Sequence, residues 1–201
     1  MKWLTPVLPY LAVGLGLFWF RNAWIALIGF HIAILASVLL ARSQVPIQIL
    51  FKSSDARWLL LSILLCGSSG ISLHFLRPYF GITNDLSVQT QTLGLTRSAW
   101  PGFIAYFVSV NPFIEEYFWR GLLGNPTPRL YISDFLYAGF HALILIGKMP
   151  IGAILYSLAA LVLAGWFWRQ VGREDKGLLA AVLGHMAADL TILLAAYQIT
   201  S

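Results

Sequence analysis

What most constrains this chain is the number of long apolar runs it has to keep out of water. They lie near residues 3–20, 24–41, 58–76, 99–123, 131–147, 150–168 and 178–198, and each approaches the ~20 residues that a helix needs to cross a bilayer core. Loops with breakers or charges separate them, among them "RSQVPIQILFKSSDAR", "GITNDLSVQTQTLGLTR", "GNPTPR", "GKMP" and "RQVGREDKG". Hydrophobic residues make up 59% of the chain and charged residues 10%, where soluble domains carry about 25% charged residues. The expectation is an all-α, polytopic membrane protein in which residues 1–201 form one integral membrane domain. About seven transmembrane helices, within a range of about six to eight, would surround a polar intramembrane cavity.

The first run follows Lys2 and ends in bulky aromatics and Arg21, with no small-residue cleavage site. It is therefore expected to be a retained helix rather than a signal peptide. The net charge of +5 belongs to membrane loops rather than to a nucleic-acid surface. With the N-terminus on the cytoplasmic side, the inside segments hold Lys2, Arg42, Lys52, Arg57, Arg129, Arg169, Arg173 and Lys176. The outside loops hold only Arg21, Arg77, Arg97 and Lys148. That bias favours N-in, in a plasma (inner) membrane. The single cysteine, Cys66, excludes an internal disulfide and a cysteine metal cage, and reads as a small core residue.

The eight acidic residues divide into two groups. Asp55, Asp85, Glu174 and Asp175 fall in loops and read as solvated charges. Glu115, Glu116, Asp134 and Asp189 fall in or at the edge of apolar segments, where an ionisable group costs about 2.5–3.5 kcal/mol on insertion scales and marks a functional site or a structural ion pair. In "NPFIEEYFWRGLLG", Glu116 and Arg120 are four apart and share a helix face. Glu115 lies about 100° round the helix and is expected to be unpaired, suited to act as a general base. His141 follows Tyr137 by four residues, and His185 precedes Asp189 by four. Gly139 and Gly184, beside these histidines, would allow helices to approach closely. His31 and His74 lack such company and read as packed, structural histidines.

Consecutive spans alternate in direction, so these groups can be compared in depth. At 1.5 Å per residue, Glu115 lies ~12 Å, His141 ~15 Å and His185 ~11 Å from the same membrane face. They can form one site. No serine or cysteine nucleophile motif, phosphate loop or H-E-x-x-H pattern is present. Hydrolysis by an activated water, with Glu115 as base and an imidazole assisting, is the most economical chemistry, and a peptide bond entering from the bilayer is the natural target.

These residues resemble the motifs of the CAAX protease and bacteriocin-processing family (CPBP, or Abi) of intramembrane endopeptidases. "PFIEEYFWRG" is similar to its E-E-x-x-x-R motif, with Pro112 upstream and Gly121 after the arginine. Tyr137 through His141 corresponds to F-x-x-x-H with tyrosine for phenylalanine, and His185 with Asp189 to H-x-x-x-N or H-x-x-x-D. The motifs follow family order across residues 99–198, the expected catalytic core. The resemblance implies a glutamate-type protease acting on a membrane-associated peptide or protein. Glu115 and His141 would activate the water, His185 and Asp189 would stabilise the oxyanion, and Glu116 with Arg120 would organise the site. It implies no cofactor in the favoured mechanism. The metalloprotease alternative would place a zinc ion among the two glutamates and two histidines. Two other classes compete: a non-catalytic protein of the same fold, such as an immunity factor or scaffold, and a proton-coupled transporter.

Overall fold

Helices account for every regular element of the structure, a computed structural model that describes residues 4–200. Lys2, counted above among the inside charges, and Trp3, where the first apolar run begins, lie outside the described residues. In chain order the helices are α1 (Val7–Gly14), α2 (Ala23–Leu40), α3 (Ala56–Phe80), α4 (Leu86–Thr92), α5 (Trp100–Glu116), α6 (Ile132–Gly139), α7 (His141–Leu145), α8 (Ile151–Asp175) and α9 (Leu179–Thr200). A widened π-helical turn extends α1 over Leu15–Trp19 and another extends α5 over Tyr117–Leu122.

All seven apolar runs fold as helix, but their lengths differ from the expectation. Only α2, α3, α8 and α9, among the described residues, combine the length and composition needed to cross a membrane. The fifth run is not one span. It breaks between Gly139 and His141 into helices of 8 and 5 residues, and their combined rise of roughly 20 Å falls short of a ~30 Å hydrocarbon core. The first run is similarly short. Large side chains such as Leu39, Leu64 and Leu155 point outwards, as expected of a surface solvated by acyl chains rather than water.

The centre is built on close approach between α3 and α9. Ser62, Cys66 and Gly70 form a buried, small-residue stripe at four-residue spacing along α3. Gly70 lies against the Thr191 backbone, and its N–H donates to Thr191 Oγ1 at 3.1 Å. Ser62 occupies the space in which Gly184 would carry a Cβ, so any larger residue at 184 would push the helices apart. Gly139 is held just as closely by the Tyr10 hydroxyl. Small residues let helix backbones meet without a hydrophobic driving force from lipid. Cys66 is buried in this core, as anticipated.

The segment "RQVGREDKG" is not a loop. Helix α8 continues through it to Asp175, and Lys176 then closes the helix in a left-handed conformation (φ 54°). Asp175, read above as a solvated charge, is buried. One of its oxygens accepts from Ser54 N at 2.7 Å, Ser54 Oγ at 3.0 Å and Asp55 N at 3.0 Å. It ties the approach to α3 onto the end of α8.

Candidate active site

The end of α5 dictates the site's layout. Pro112 has no N–H to give to the preceding turn, and the helix then widens into the turn that carries Trp119 and Arg120. Here backbone bonds run from residue i to i−5, as from Leu123 N to Phe118 O at 2.9 Å. A wider turn brings residues four apart closer to alignment than the 3.6-residue α-turn does. Two parallel columns result, Asn111–Glu115–Trp119 and Glu116–Arg120.

Glu115 is not unpaired, contrary to the expectation. Its Oε1 accepts from Asn111 Nδ2 at 2.9 Å and its Oε2 from Trp119 Nε1 at 3.0 Å, both within its own helix column. The carboxylate is 2% exposed. Glu116 is enclosed completely, and its Oε1 accepts from Arg120 Nη1 at 3.1 Å and His185 Nδ1 at 2.8 Å. The Arg120 guanidinium carbon lies over the Tyr137 ring, 4.0 Å from its centroid, with the Trp168 ring centroid at 5.1 Å. Glu116 Oε2 and Arg120 Nη2 have no hydrogen-bond partner.

His185 on α9 stands between two carboxylates. Its Nδ1 donates to Glu116, and its Nε2 faces Asp189 Oδ1 at 3.5 Å, while its ring stacks on Trp168. Asp189 Oδ2 accepts a long bond, 3.4 Å, from Asn111 Nδ2. His141 opens the short helix α7. Its Nδ1 donates to Tyr137 O at 3.1 Å, which leaves Nε2 as an acceptor. Its link to the other groups runs through Tyr137, whose ring meets both His141 and His185 edge-on. Thus Glu115, Glu116, Arg120, His185 and Asp189 share one cluster of hydrogen bonds joined through the His185–Asp189 ion contact, and His141 joins through the aromatic ring of Tyr137. The cluster is packed against itself rather than lining an open polar cavity, and partly exposed His141 and Asp189 form its edge. An apolar groove of about 600 Å³ lies elsewhere, between α1 and α6–α7, with Tyr10, Leu11, Leu136 and Leu143 in its walls.

Two residues lie outside the cluster. Of the two readings open for Asp134 the structure favours the ion pair, bound through both oxygens by Arg169 at 2.9 and 2.7 Å. His74, read above as a packed histidine, is instead exposed on α3. Conversely, Asn111, Trp119, Trp168 and His31 were not recognised from sequence as part of the site. Asn111 and Trp119 stand four residues before and after Glu115, a spacing that could have revealed them. His31 on α2, read above as a histidine without polar company, contacts Tyr106 Oη and Asn111 Oδ1, each at 3.1 Å.

The donor set does not suit a zinc ion. Among the described residues no three His, Cys, Asp or Glu side chains gather around a common point. Those nearest one another already bond among themselves: both Glu115 oxygens, Glu116 Oε1 and His185 Nδ1 are engaged. A tetrahedral site would need three or four of these atoms turned towards one centre.

Acids and imidazoles from separate helices are buried in a fold with four helices long and apolar enough to cross a membrane, as in an integral membrane protein. Residues 97–191 match the family described as type II CAAX prenyl endopeptidase Rce1-like. This segment resembles the CAAX protease (CPBP) family and supports a CAAX-protease-like intramembrane endopeptidase in general class. No curated protein and no solved structure matches the chain.

Proposed function

We propose that the chain hydrolyses a peptide bond of a membrane-associated protein or peptide with a water activated by Glu115, and that no metal ion takes part. The observation that carries this reading is a buried carboxylate fixed by two donors, Asn111 and Trp119, in a cluster with partly exposed His141 at its edge.

Each Glu115 oxygen keeps a second lone pair, so the carboxylate can take a proton from a water held at His141 Nε2. The water oxygen bonds to the peptide carbonyl carbon, and the carbonyl's π electrons move onto its oxygen. That oxyanion lies on the Nε2 side of His185, which must carry a proton at Nε2 to serve as the donor because its Nδ1–H is given to Glu116. Asp189, an acceptor when ionised, steers His185 rather than binding the oxyanion itself. As the tetrahedral intermediate collapses, the C–N bond breaks and Glu115 returns its proton to the departing amine. Glu116 and Arg120 hold His185 and the turn in register.

All seven apolar helical segments are taken to lie within the bilayer of a plasma (inner) membrane, with the N-terminus cytoplasmic. Arg169 leaves the inside count because it is buried in the fold.

The test uses purified protein reconstituted with membrane proteins of its source cell, with new peptide termini mapped by mass spectrometry. Termini absent from protein-free vesicles, and undiminished by a strong chelator, are the expected result. Complete loss with chelator and recovery with zinc would overturn the metal-free mechanism, and the absence of new termini would overturn proteolysis.

A further inference from the structure

The matched segment begins at residue 97, yet the hydrogen bonds to Glu115 do not stop there. They continue through Asn111 to His31, on α2, near the start of the chain. We infer that His31 is a positioning residue for the reaction: it sets the Asn111 carboxamide so that one amide nitrogen holds Glu115 and Asp189 together.

The orientations follow from elementary donor and acceptor rules. Asn111 Nδ2 faces two carboxylates, Glu115 Oε1 at 2.9 Å and Asp189 Oδ2 at 3.4 Å. Ionised carboxylates only accept, so the amide must present its NH₂ to them and its oxygen to His31. His31 Nε2 must then carry the proton it donates to Asn111 Oδ1, and Nδ1 becomes the acceptor for the Tyr106 hydroxyl. Every atom in the chain Tyr106–His31–Asn111 has one permitted role. A reversed amide would aim its oxygen at two carboxylates and leave His31 facing a donor. His31 and Asn111 are 3% and 1% exposed, so neither touches a substrate, and His31 acts through Asn111.

This inference rests on the proteolytic reading above. The experiment measures kcat and KM for wild type, His31→Leu, His31→Gln, Tyr106→Phe and Glu115→Gln. The probe is a quenched-fluorescence peptide built on the first cleavage site mapped in reconstituted membranes. A glutamine amide can donate to Asn111 at one end and accept from Tyr106 at the other, and therefore mimics the required tautomer. Leucine can do neither. His31→Leu should lower kcat by about tenfold with KM unchanged, the scale of one buried hydrogen bond lost from a catalytic group. His31→Gln should recover most of it, and Tyr106→Phe, which keeps the ring, should lose about two- to threefold. Thermal unfolding in detergent identifies any variant that fails to fold, and Tyr106→Phe then decides. Wild-type kcat in both His31→Leu and Tyr106→Phe, with Glu115→Gln inactive, would overturn the inference alone. Equal activity of wild type and Glu115→Gln would overturn the proteolytic reading and this inference with it.

Discussion

Two arginines, Arg120 and Arg169, are buried in this fold, and they are used in opposite ways. Arg169 is saturated. All five of its N–H groups are donated, to both oxygens of Asp134 and to the carbonyls of Asn125, Thr127 and Arg129. Asp134 in turn accepts from Tyr131 N and caps α6. Arg120 makes one hydrogen bond, to Glu116, and otherwise rests on the faces of Tyr137 and Trp168. One pair closes its hydrogen bonds and fastens a loop. The other leaves a carboxylate oxygen and a guanidinium nitrogen uncommitted beside the proposed reaction centre. Unsatisfied polar groups are costly in a membrane interior, so the saturated pair fits a structural role, while the unsaturated one lies within the proposed site.

The largest effect should fall on the saturated pair. Arg169→Met should destabilise the protein by about 3–5 kcal/mol, because it strands the Asp134 charge and releases three loop carbonyls. Turnover per folded molecule should stay close to that of wild type. Calorimetry in detergent alongside an active-fraction assay checks both, and a specific loss of turnover would erase the distinction. Arg120→Met should show the reverse emphasis. The lost buried hydrogen bond costs about 1–3 kcal/mol, and turnover falls by more than stability explains, because His185 loses a fixed Glu116.

The smallest effect lies outside the membrane, at an ion pair of a third kind. Asp55 caps α3, accepting from Arg57 N at 2.9 Å and from its guanidinium at 2.6 Å. The side-chain hydrogen bond from Arg57 holds the Asp55 carboxyl below its ordinary range. Its contribution is therefore complete above the ordinary carboxylate pKa and disappears as pH falls through the lowered folded value. An acid titration of stability should show a slight fall in wild type that Asp55→Asn lacks. The pair is exposed and screened, so a large difference would be unexpected.

How far the sequence revealed these differences depends on the range of each contact. The Glu116–Arg120 pair, the His185–Asp189 pair and the helical character of every apolar run were readable, because four-residue spacing and hydrophobic length are local properties. Asn111 and Trp119 were equally local, and only the assumption that Glu115 stood unpaired hid them. Arg169 with Asp134 was not readable. The partners are 35 residues apart, and the glycine and charges of "RQVGREDKG" resemble a loop until the tertiary partners of Arg169 and Asp175 are known. His31 depends on a contact across 80 residues, which no periodicity reports. The break at Gly139–His141 left no signal of its own, since apolar residues continue across it.

The most direct test of the account is the rate at which Glu115→Gln produces new termini in reconstituted membranes, set against wild type at matched folded concentration. Removing a general base should lower that rate by about 10²–10⁴-fold, with thermal stability lowered only modestly, because glutamine keeps the shape and one of the two hydrogen bonds at the Asn111–Trp119 seat but turns its NH₂ towards the other donor. Cleavage by Glu115→Gln at the wild-type rate would contradict the account.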